Sequence, residues 1–156
     1  MSNGMLLGPE ISNFSCPVGT FLKYQTFFFL MKGVEIIKHN PKHEDARGFV
    51  SVYVADEKMK EILMLKRKKG SVSGNHYHTG ADPTRNPEIQ YFVTGKIKLT
   101  VKNLDTNEKE EHILTENTEV KINPMIAHKM EMLEDTVFLE FHTEVSSYTD
   151  MTKVEL

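Results

Sequence analysis

Three histidines and one glutamate are the residues of this sequence whose types and spacing could bind a metal ion. His76 and His78 are separated by one residue, Glu88 follows ten positions later, and His128 lies after Pro124 in the stretch INPMIAHKM. Alternate side chains of a β-strand point to the same face, so His76 and His78 would project together, and Glu88 at the start of the next strand can line that face. Three imidazoles and one carboxylate suit a divalent ion such as zinc, iron, manganese or nickel, and leave coordination positions open for water or substrate.

A histidine pair alone does not establish such a site. The chain contains seven histidines, so one His-x-His pair can arise by chance as surface or hydrogen-bonded histidine. The order of the surrounding elements favours a ligand set: Gly70, five residues, His76-x-His78, then Glu88, six residues and Gly95, and later Pro124 before His128. We therefore predict a metal site rather than a patch of polar surface.

The segments that would carry these residues are short and rich in β-branched or large apolar side chains. Turn signals separate them, and no long stretch has a convincing helical period. The predicted strands are 34–38, 49–55, 61–67, 88–94, 96–102, 111–115, 118–123 and 136–142. Strands 88–94 and 96–102 meet at Gly95, which predicts a tight hairpin there. The pattern predicts an all-β fold, an antiparallel double-sheet jelly roll or small barrel with little helix.

The spacing of the glycines, histidines and glutamate resembles the two-part signature of the cupin superfamily, from about VEIIKHN to FLEFH. The first part of that signature is Gly, five residues, His-x-His, a short spacer, Glu, six residues and Gly, and the second is a Pro-containing turn leading to His. Here the spacer before Glu88 is longer, so GADPTR reads as a loop insertion, while Met125 stands where glycine is common and the usual later asparagine is missing. Neither departure removes a ligand. The resemblance implies a cupin barrel with a metal ion bound by His76, His78, Glu88 and His128.

Two shorter stretches resemble sugar-nucleotide cupins. HEDARGFVSVY is similar to the Asp-x-Arg-Gly-Phe stretch of the dTDP-4-dehydrorhamnose 3,5-epimerases. GNHYHTG is similar to the Gly-Asn-His-Tyr-His run in the metal-binding cupin domain of bifunctional capsular-polysaccharide UDP-sugar enzymes. The second match is closer, because the rhamnose epimerases usually have glutamine where His78 stands and do not use a metal, although Ser73 replaces an arginine common to both groups. The resemblance implies an isomerase or epimerase of nucleotide-linked sugars, with zinc as the metal.

Such an enzyme would abstract a proton next to a ketone and return one on the other face. A divalent ion stabilises the developing enolate, and a base and a proton donor must reach the carbon. The sequence does not identify the base: Tyr53, Gln90, Glu140 and His142 are polar groups on predicted strands, each either catalytic or structural. Two other functions use the same ligands, an iron-dependent dioxygenase acting on a small organic substrate and a non-catalytic module that binds a sugar or other small ligand. Cupins host many unrelated activities, so the fold does not choose among the three.

Arg47 is the predicted substrate contact. By resemblance to the sugar-nucleotide cupins, its guanidinium could bind the diphosphate of the substrate bidentately. It can equally be a turn arginine before Gly48 that pairs with Glu44 or Asp45.

Length and composition bound the remaining possibilities. A chain of 156 residues is a single domain by length, and its net charge of −3 gives no indication of a nucleic-acid partner. The apolar stretch TFFFLM (26–31) is too short for a membrane span and lacks the flanks of a secretory signal. A single cysteine, Cys16, fits a reducing compartment, so we predict a cytoplasmic location.

We divide the chain into an N-terminal extension (1–33), a cupin domain (34–145) and a C-terminal tail (146–156). The apolar end of the extension, Phe27 to Leu30, is expected to add a strand to the body or to contact a partner subunit. Alternatively, Met31 is the natural start, with poorly ordered residues before it. Exposed sheet edges are commonly covered by pairing, and cupins frequently dimerise through their sheets, so we predict a homodimer.

Overall fold

Antiparallel strands make up most of the chain that the computed structural model describes, namely residues 25–29, 31–145 and 149–156. In chain order they are β1 (Gln25–Phe29), β2 (Val34–His39), β3 (His43–Asp45), β4 (Gly48–Val50), β5 (Glu61–Arg67), β6 (Val72–Tyr77), β7 (Glu88–Thr94), β8 (Lys96–Asn103), β9 (Lys109–Thr115), β10 (Thr118–Ile122), β11 (Ile126–Met132), β12 (Thr136–His142) and β13 (Thr152–Lys153). One short turn of 3-10 helix, Pro83–Arg85, precedes β7.

The strands form two large sheets that enclose the core. One sheet has six strands in the order β1-β2-β10-β7-β12-β5, and the other has five in the order β13-β6-β11-β8-β9. Alternate residues of each strand face inward, and the apolar ones form a single buried cluster that includes Ile36, Phe92, Val120, Phe138, Ile97, Leu99, Val101 and Met130. The predicted all-β, antiparallel double-sheet jelly roll is confirmed.

The predicted strands agree with the structure except in one segment. The predictions for 61–67, 88–94 and 136–142 coincide with β5, β7 and β12. The predicted strand 49–55 is wrong beyond Val50, where β4 ends in a small hairpin with β3. The reason is that the ring of Tyr53 stacks on Phe141 of β12 at a centroid distance of 4.6 Å. The segment therefore packs against a face of the six-stranded sheet instead of pairing with its edge.

The tight hairpin predicted at Gly95 is also wrong. Although β7 and β8 are separated by that single residue, β7 lies in the six-stranded sheet and β8 in the five-stranded sheet. Gly95 has φ +95°, and a Cβ atom there would lie 2.6 Å from the carbonyl oxygen of Asp135 and 2.5 Å from Oγ1 of Thr136. The chain thus crosses between the sheets at a point where the turn before β12 packs directly against the backbone.

Both flanking segments contribute strands to the sheets. β1 pairs with β2, β13 pairs with β6, and the side chain of Met31 is buried in the core. Residues 1–24, including Cys16, and Leu30 lie outside the described residues, as do the side chains of Phe27, Phe28 and Phe29. The predicted interface at Phe27 to Leu30 and the homodimer stay predictions. None of the helical structure within the described ranges is long and apolar enough to cross a membrane.

We expect Gly95→Ala to lower the free energy of unfolding by about 3 kcal/mol, because the new methyl group collides with backbone atoms at a left-handed residue. The matched control is Gly70→Ala. Gly70 also has positive φ, at +81°, but a Cβ atom there meets nothing within 4 Å, so its substitution should cost only about 1 kcal/mol. Urea unfolding followed by circular dichroism measures both values. Equal losses in the two variants would contradict the close approach at Gly95.

Candidate metal centre

The structure brings the four predicted ligands together between the two sheets. His76 lies on β6, His78 directly follows that strand, Glu88 begins β7, and His128 lies on β11. One potential ligand atom from each of them can be chosen so that all four lie within 4.8 Å of one another. His78, Glu88 and His128 are buried, whereas His76 is partly exposed. His76 is therefore the least buried residue of the cluster.

An irregular stretch of backbone, rather than a regular strand, places the first two histidines. Gly74 has φ +89° and Asn75 has φ +59°, and the pairing of β6 with β11 shifts register next to His128. A Cβ atom on Gly74 would lie only 2.7 Å from the carbonyl oxygen of His128. This close approach sets His76 opposite His128, with ring centroids 4.5 Å apart.

Backbone hydrogen bonds orient the three imidazoles. Nδ1 of His78 donates to the carbonyl oxygen of Asp150, and Nδ1 of His128 lies 3.3 Å from the carbonyl oxygen of Ile126. His76 makes a backbone hydrogen bond to Gly74. A histidine that donates a proton from Nδ1 carries its lone pair on Nε2, which is the arrangement that metal-binding histidines commonly have.

The inward-facing atoms of the cluster fit a divalent ion. Nε2 of His76, His78 and His128 and Oε2 of Glu88 are all buried and have no hydrogen-bond partner. Nε2 of His78 and of His128 lie 3.3 and 3.1 Å from that glutamate oxygen, but without hydrogen-bond geometry. Buried polar atoms without partners are costly. Around a tetrahedral ion, bonds of about 2 Å hold the ligand atoms about 3.3 Å apart. The four residues, whose ligand atoms lie within 4.8 Å of one another, would have to move closer together to bind one ion.

The ionisation of the cluster favours a cation at its centre. Burial alone would raise the pKa of Glu88, but the surrounding histidines and Arg85 outweigh it and hold that pKa well below its usual range. Burial and the neighbouring His128 lower the pKa of His76 to about 4, so His76 is neutral near pH 7. Burial also disfavours the charged form of His78, but the Glu88 carboxylate outweighs it and leaves that pKa raised. A negative carboxylate among imidazoles therefore attracts either a proton or a metal ion.

Further polar side chains contact the other oxygen of Glu88, Oε1. Nε2 of Gln90 donates to Oε1 of Glu88 over 3.0 Å, and Nη1 of Arg85 lies 3.5 Å from the same oxygen. The same Arg85 nitrogen donates to Oε1 of Glu140 over 2.7 Å. Oε1 of Glu140 also contacts Nε2 of His142, whose Nδ1 lies 2.9 Å from Oε2 of Glu61. The buried charges thus form a chain from Glu88 of the cluster to the partly exposed Glu61.

The remaining residues predicted from the sequence lie in three places: the inner face of the six-stranded sheet, its outer face and the β3–β4 hairpin. Gln90, Glu140 and His142 share the inner face and belong to the polar chain beside the ligands. Tyr53 stacks on Phe141, a neighbour of Glu140 along β12, and alternation along the strand places it on the outer face. Arg47 lies on the exposed β3–β4 hairpin, where its Nη2 pairs with Oδ2 of Asp45 over 2.6 Å.

Sequence reasoning missed two residues of the site, Arg85 and Asp150. Arg85 lies within the presumed loop insertion, but it is 3% exposed and bridges two buried carboxylates. One signal in the sequence indicated an ordered turn at this place instead of an open loop: Asp82 followed by Pro83 is typical of a helical N-terminus. Asp82 does accept a hydrogen bond from the backbone nitrogen of Thr84, and the turn that it begins ends at Arg85. Asp150 gave no local signal, because its contacts with His78 and Thr79 span about 70 residues of sequence.

Comparisons with known proteins agree with the fold. No protein-family model matches the sequence, and no curated protein matches it. Among solved structures, dTDP-4-dehydrorhamnose 3,5-epimerase from Sulfolobus tokodaii is 22% identical, with a TM-score of 0.60 over 85% of this chain and 77% of that one. QdtA, a sugar 3,4-ketoisomerase from Thermoanaerobacterium thermosaccharolyticum, is 18% identical, with a TM-score of 0.63 over 79% and 89%. The epimerase RmlC from Legionella pneumophila is 14% identical, with a TM-score of 0.65 over 84% and 78%. At these identities the likeness establishes the fold alone, an antiparallel double-sheet jelly roll.

We expect the affinity of the protein for Zn²⁺ to fall as the pH falls. The raised pKa of His78 means that a proton occupies this ligand below that pKa and must leave when metal binds, so the affinity falls by about tenfold per pH unit for each proton displaced. His76, with a pKa of about 4, adds no such competition at neutral pH. Competition with a calibrated chromophoric chelator measures the effect. An affinity that does not change between about pH 8 and pH 5.5 would contradict the site.

Proposed function

We propose that this protein is a metal-dependent isomerase or epimerase of keto sugars carried on a nucleotide. The observation that carries the proposal is the set of four buried donor atoms that face one point without hydrogen-bond partners. A cluster of this kind, with one partly exposed histidine, can hold an ion that still has room for a substrate oxygen.

The proteins of similar fold support the sugar-nucleotide part of the proposal. QdtA was crystallised with TDP, and the Legionella epimerase with dTDP-4-keto-L-rhamnose. Because one fold hosts many activities, the reaction type has to be inferred from the side chains of the site.

The reaction would move a proton from a carbon next to a ketone and return one to the opposite face or to the adjacent carbon, with no oxidant needed. A bound divalent ion would supply polarisation of the ketone oxygen. Glu140 is the group proposed to take up the proton and, in an isomerisation, to return it to the adjacent carbon, since it lies on the inner face and is linked to Glu88 through Arg85. Inversion at the same carbon would require a second donor on the opposite face of the substrate. His142 is held between Glu140 and Glu61. Burial disfavours its charged form, but these two carboxylates outweigh that and raise its pKa, so it keeps a proton beside Glu140.

Gln90 is proposed to bind a substrate hydroxyl. Its amide orientation is fixed, because the –NH₂ group must face the Glu88 carboxylate, to which it donates. Its carbonyl oxygen is then buried without a partner. A hydroxyl next to the ketone would satisfy this acceptor, which a plain hydrocarbon chain could not do.

Arg47 stays a proposed diphosphate contact. Its side chain is 88% exposed and paired with Asp45, an ion pair that a phosphate would have to replace. Exposed ion pairs of this kind contribute little to stability, so a phosphate can replace Asp45 without unfolding the hairpin.

The test combines metal analysis with proton exchange. Protein purified without added metal should contain a divalent ion, and a panel of dTDP- and UDP-linked keto sugars should include one that raises its melting temperature. In D₂O, that compound should gain deuterium next to the ketone, as followed by NMR. His78→Ala should lose more metal affinity than the roughly 10–100-fold that outer-shell partners contribute, and the exchange should stop.

The matched control is His112→Ala. His112 lies on the edge strand β9 and contacts Glu110 rather than the cluster, so metal content and exchange should be retained. Bound iron with oxygen consumption and no exchange would indicate the dioxygenase instead. Ligand binding with no exchange would indicate a binding module. Either outcome contradicts the proposed isomerase.

A further inference from the structure

The C-terminal segment 149–156 is built onto the strand that carries the first two histidines. β13 pairs with β6 so that Thr152 lies opposite Tyr77 and Lys153 opposite His76. The backbone nitrogen of Val154 donates to the carbonyl oxygen of Asn75 over 2.9 Å. The segment therefore covers the edge of β6 along the residues that lead into the metal cluster.

Asp150 joins this segment to the cluster at two points. Its backbone carbonyl accepts the Nδ1 hydrogen of His78. Its carboxylate accepts four further hydrogen bonds from the loop that follows His78: from the nitrogen and Oγ1 of Thr79, over 2.9 and 2.7 Å, from the nitrogen of Gly80 over 2.9 Å, and from the nitrogen of Asp82 over 3.1 Å. Burial alone would raise the pKa of this carboxyl, but these donors outweigh it and hold the pKa below its usual range.

The loop is also fixed from its other side. A Cβ atom on Gly80 would lie 2.9 Å from Cγ of Pro124, and the backbone nitrogen of Met125 donates to the carbonyl oxygen of His78 over 2.8 Å. The loop between His78 and Glu88 is thus held between the C-terminal segment and the turn that leads to His128.

We infer that Asp150 and β13 are positioning elements of the metal centre, an inference that rests on the proposed metal site but not on any substrate. The Asp150 carbonyl fixes the proton of His78 on Nδ1 and so leaves Nε2 free to bind the ion. Its carboxylate fixes the loop through which the chain returns to Glu88. Outer-shell partners of this type commonly contribute 10–100-fold to metal affinity.

The inference is tested with the full-length protein and the metal alone. Asp150→Ala removes the four carboxylate hydrogen bonds, and Val154→Pro removes the donor to Asn75 that secures β13. Each should weaken Zn²⁺ binding by roughly 10–100-fold. Each should also change the visible spectrum of the Co²⁺-loaded protein. This spectrum depends on the geometry of the ligands, so a loss of stability alone would leave it unchanged. Asp150→Asn keeps one acceptor oxygen and should fall between wild type and Asp150→Ala.

The control is Asp56→Ala, which removes a carboxylate that accepts a hydrogen bond from the backbone nitrogen of Lys58 at an exposed turn. The metal affinity and spectrum of this variant should equal those of wild type. Should Asp150→Ala fail to fold, Asp150→Asn and Val154→Pro decide the question. Wild-type affinity and spectrum in the folded variants, with only a lower melting temperature, would overturn the positioning role alone. A wild-type protein that binds neither Zn²⁺ nor Co²⁺ would overturn it together with the metal-dependent function.

Discussion

The structure depends on one electrostatic constraint, the burial of the Glu88 carboxylate among three imidazoles. A fully buried charge is costly unless it is paired and hydrogen-bonded, and a buried pair that loses one partner typically destabilises a protein by about 3–5 kcal/mol. One oxygen of Glu88 is satisfied by Gln90 and faces Arg85. The other faces His78 and His128 without a hydrogen bond. A divalent ion would satisfy this arrangement, because it can bind the second Glu88 oxygen and the Nε2 atoms of the three histidines at the same time.

The two sheets meet this constraint by bringing distant segments close together. β6 and β11 of one sheet carry His76 and His128, while β7 of the other carries Glu88. Glycine occupies two points of close approach: Gly74 lies against the backbone of His128 on the neighbouring strand of the same sheet, and Gly95, where the chain crosses between the sheets, lies against the turn before β12. The core, formed by inner-face residues such as Phe92 and Leu99, fixes the distance between the sheets. Packing therefore sets the geometry of the polar site.

The sequence predicted those parts of the molecule that depend on local pattern. Strand alternation and residue order led to β5, β7 and β12 and to the four clustered side chains, because side-chain period and ligand type are local properties. The prediction at Gly95 was wrong because a single glycine between strands is compatible both with a hairpin and with a crossing between sheets. Only the approach of Asp135 and Thr136, some 40 residues later in the chain, decides between them. The same limit applies to Asp150, whose role depends on contacts that no local pattern encodes.

The most direct measurement of the central claim is anomalous X-ray diffraction from crystals of the protein at the absorption edge of the bound metal. A metal ion bound at this site should give one strong anomalous peak about 2.0–2.2 Å from Nε2 of His76, His78 and His128 and from Oε2 of Glu88. Direct hydrogen bonds between the Glu88 carboxylate and protonated His78 and His128, with no anomalous peak between them in crystals grown with Zn²⁺, would contradict it.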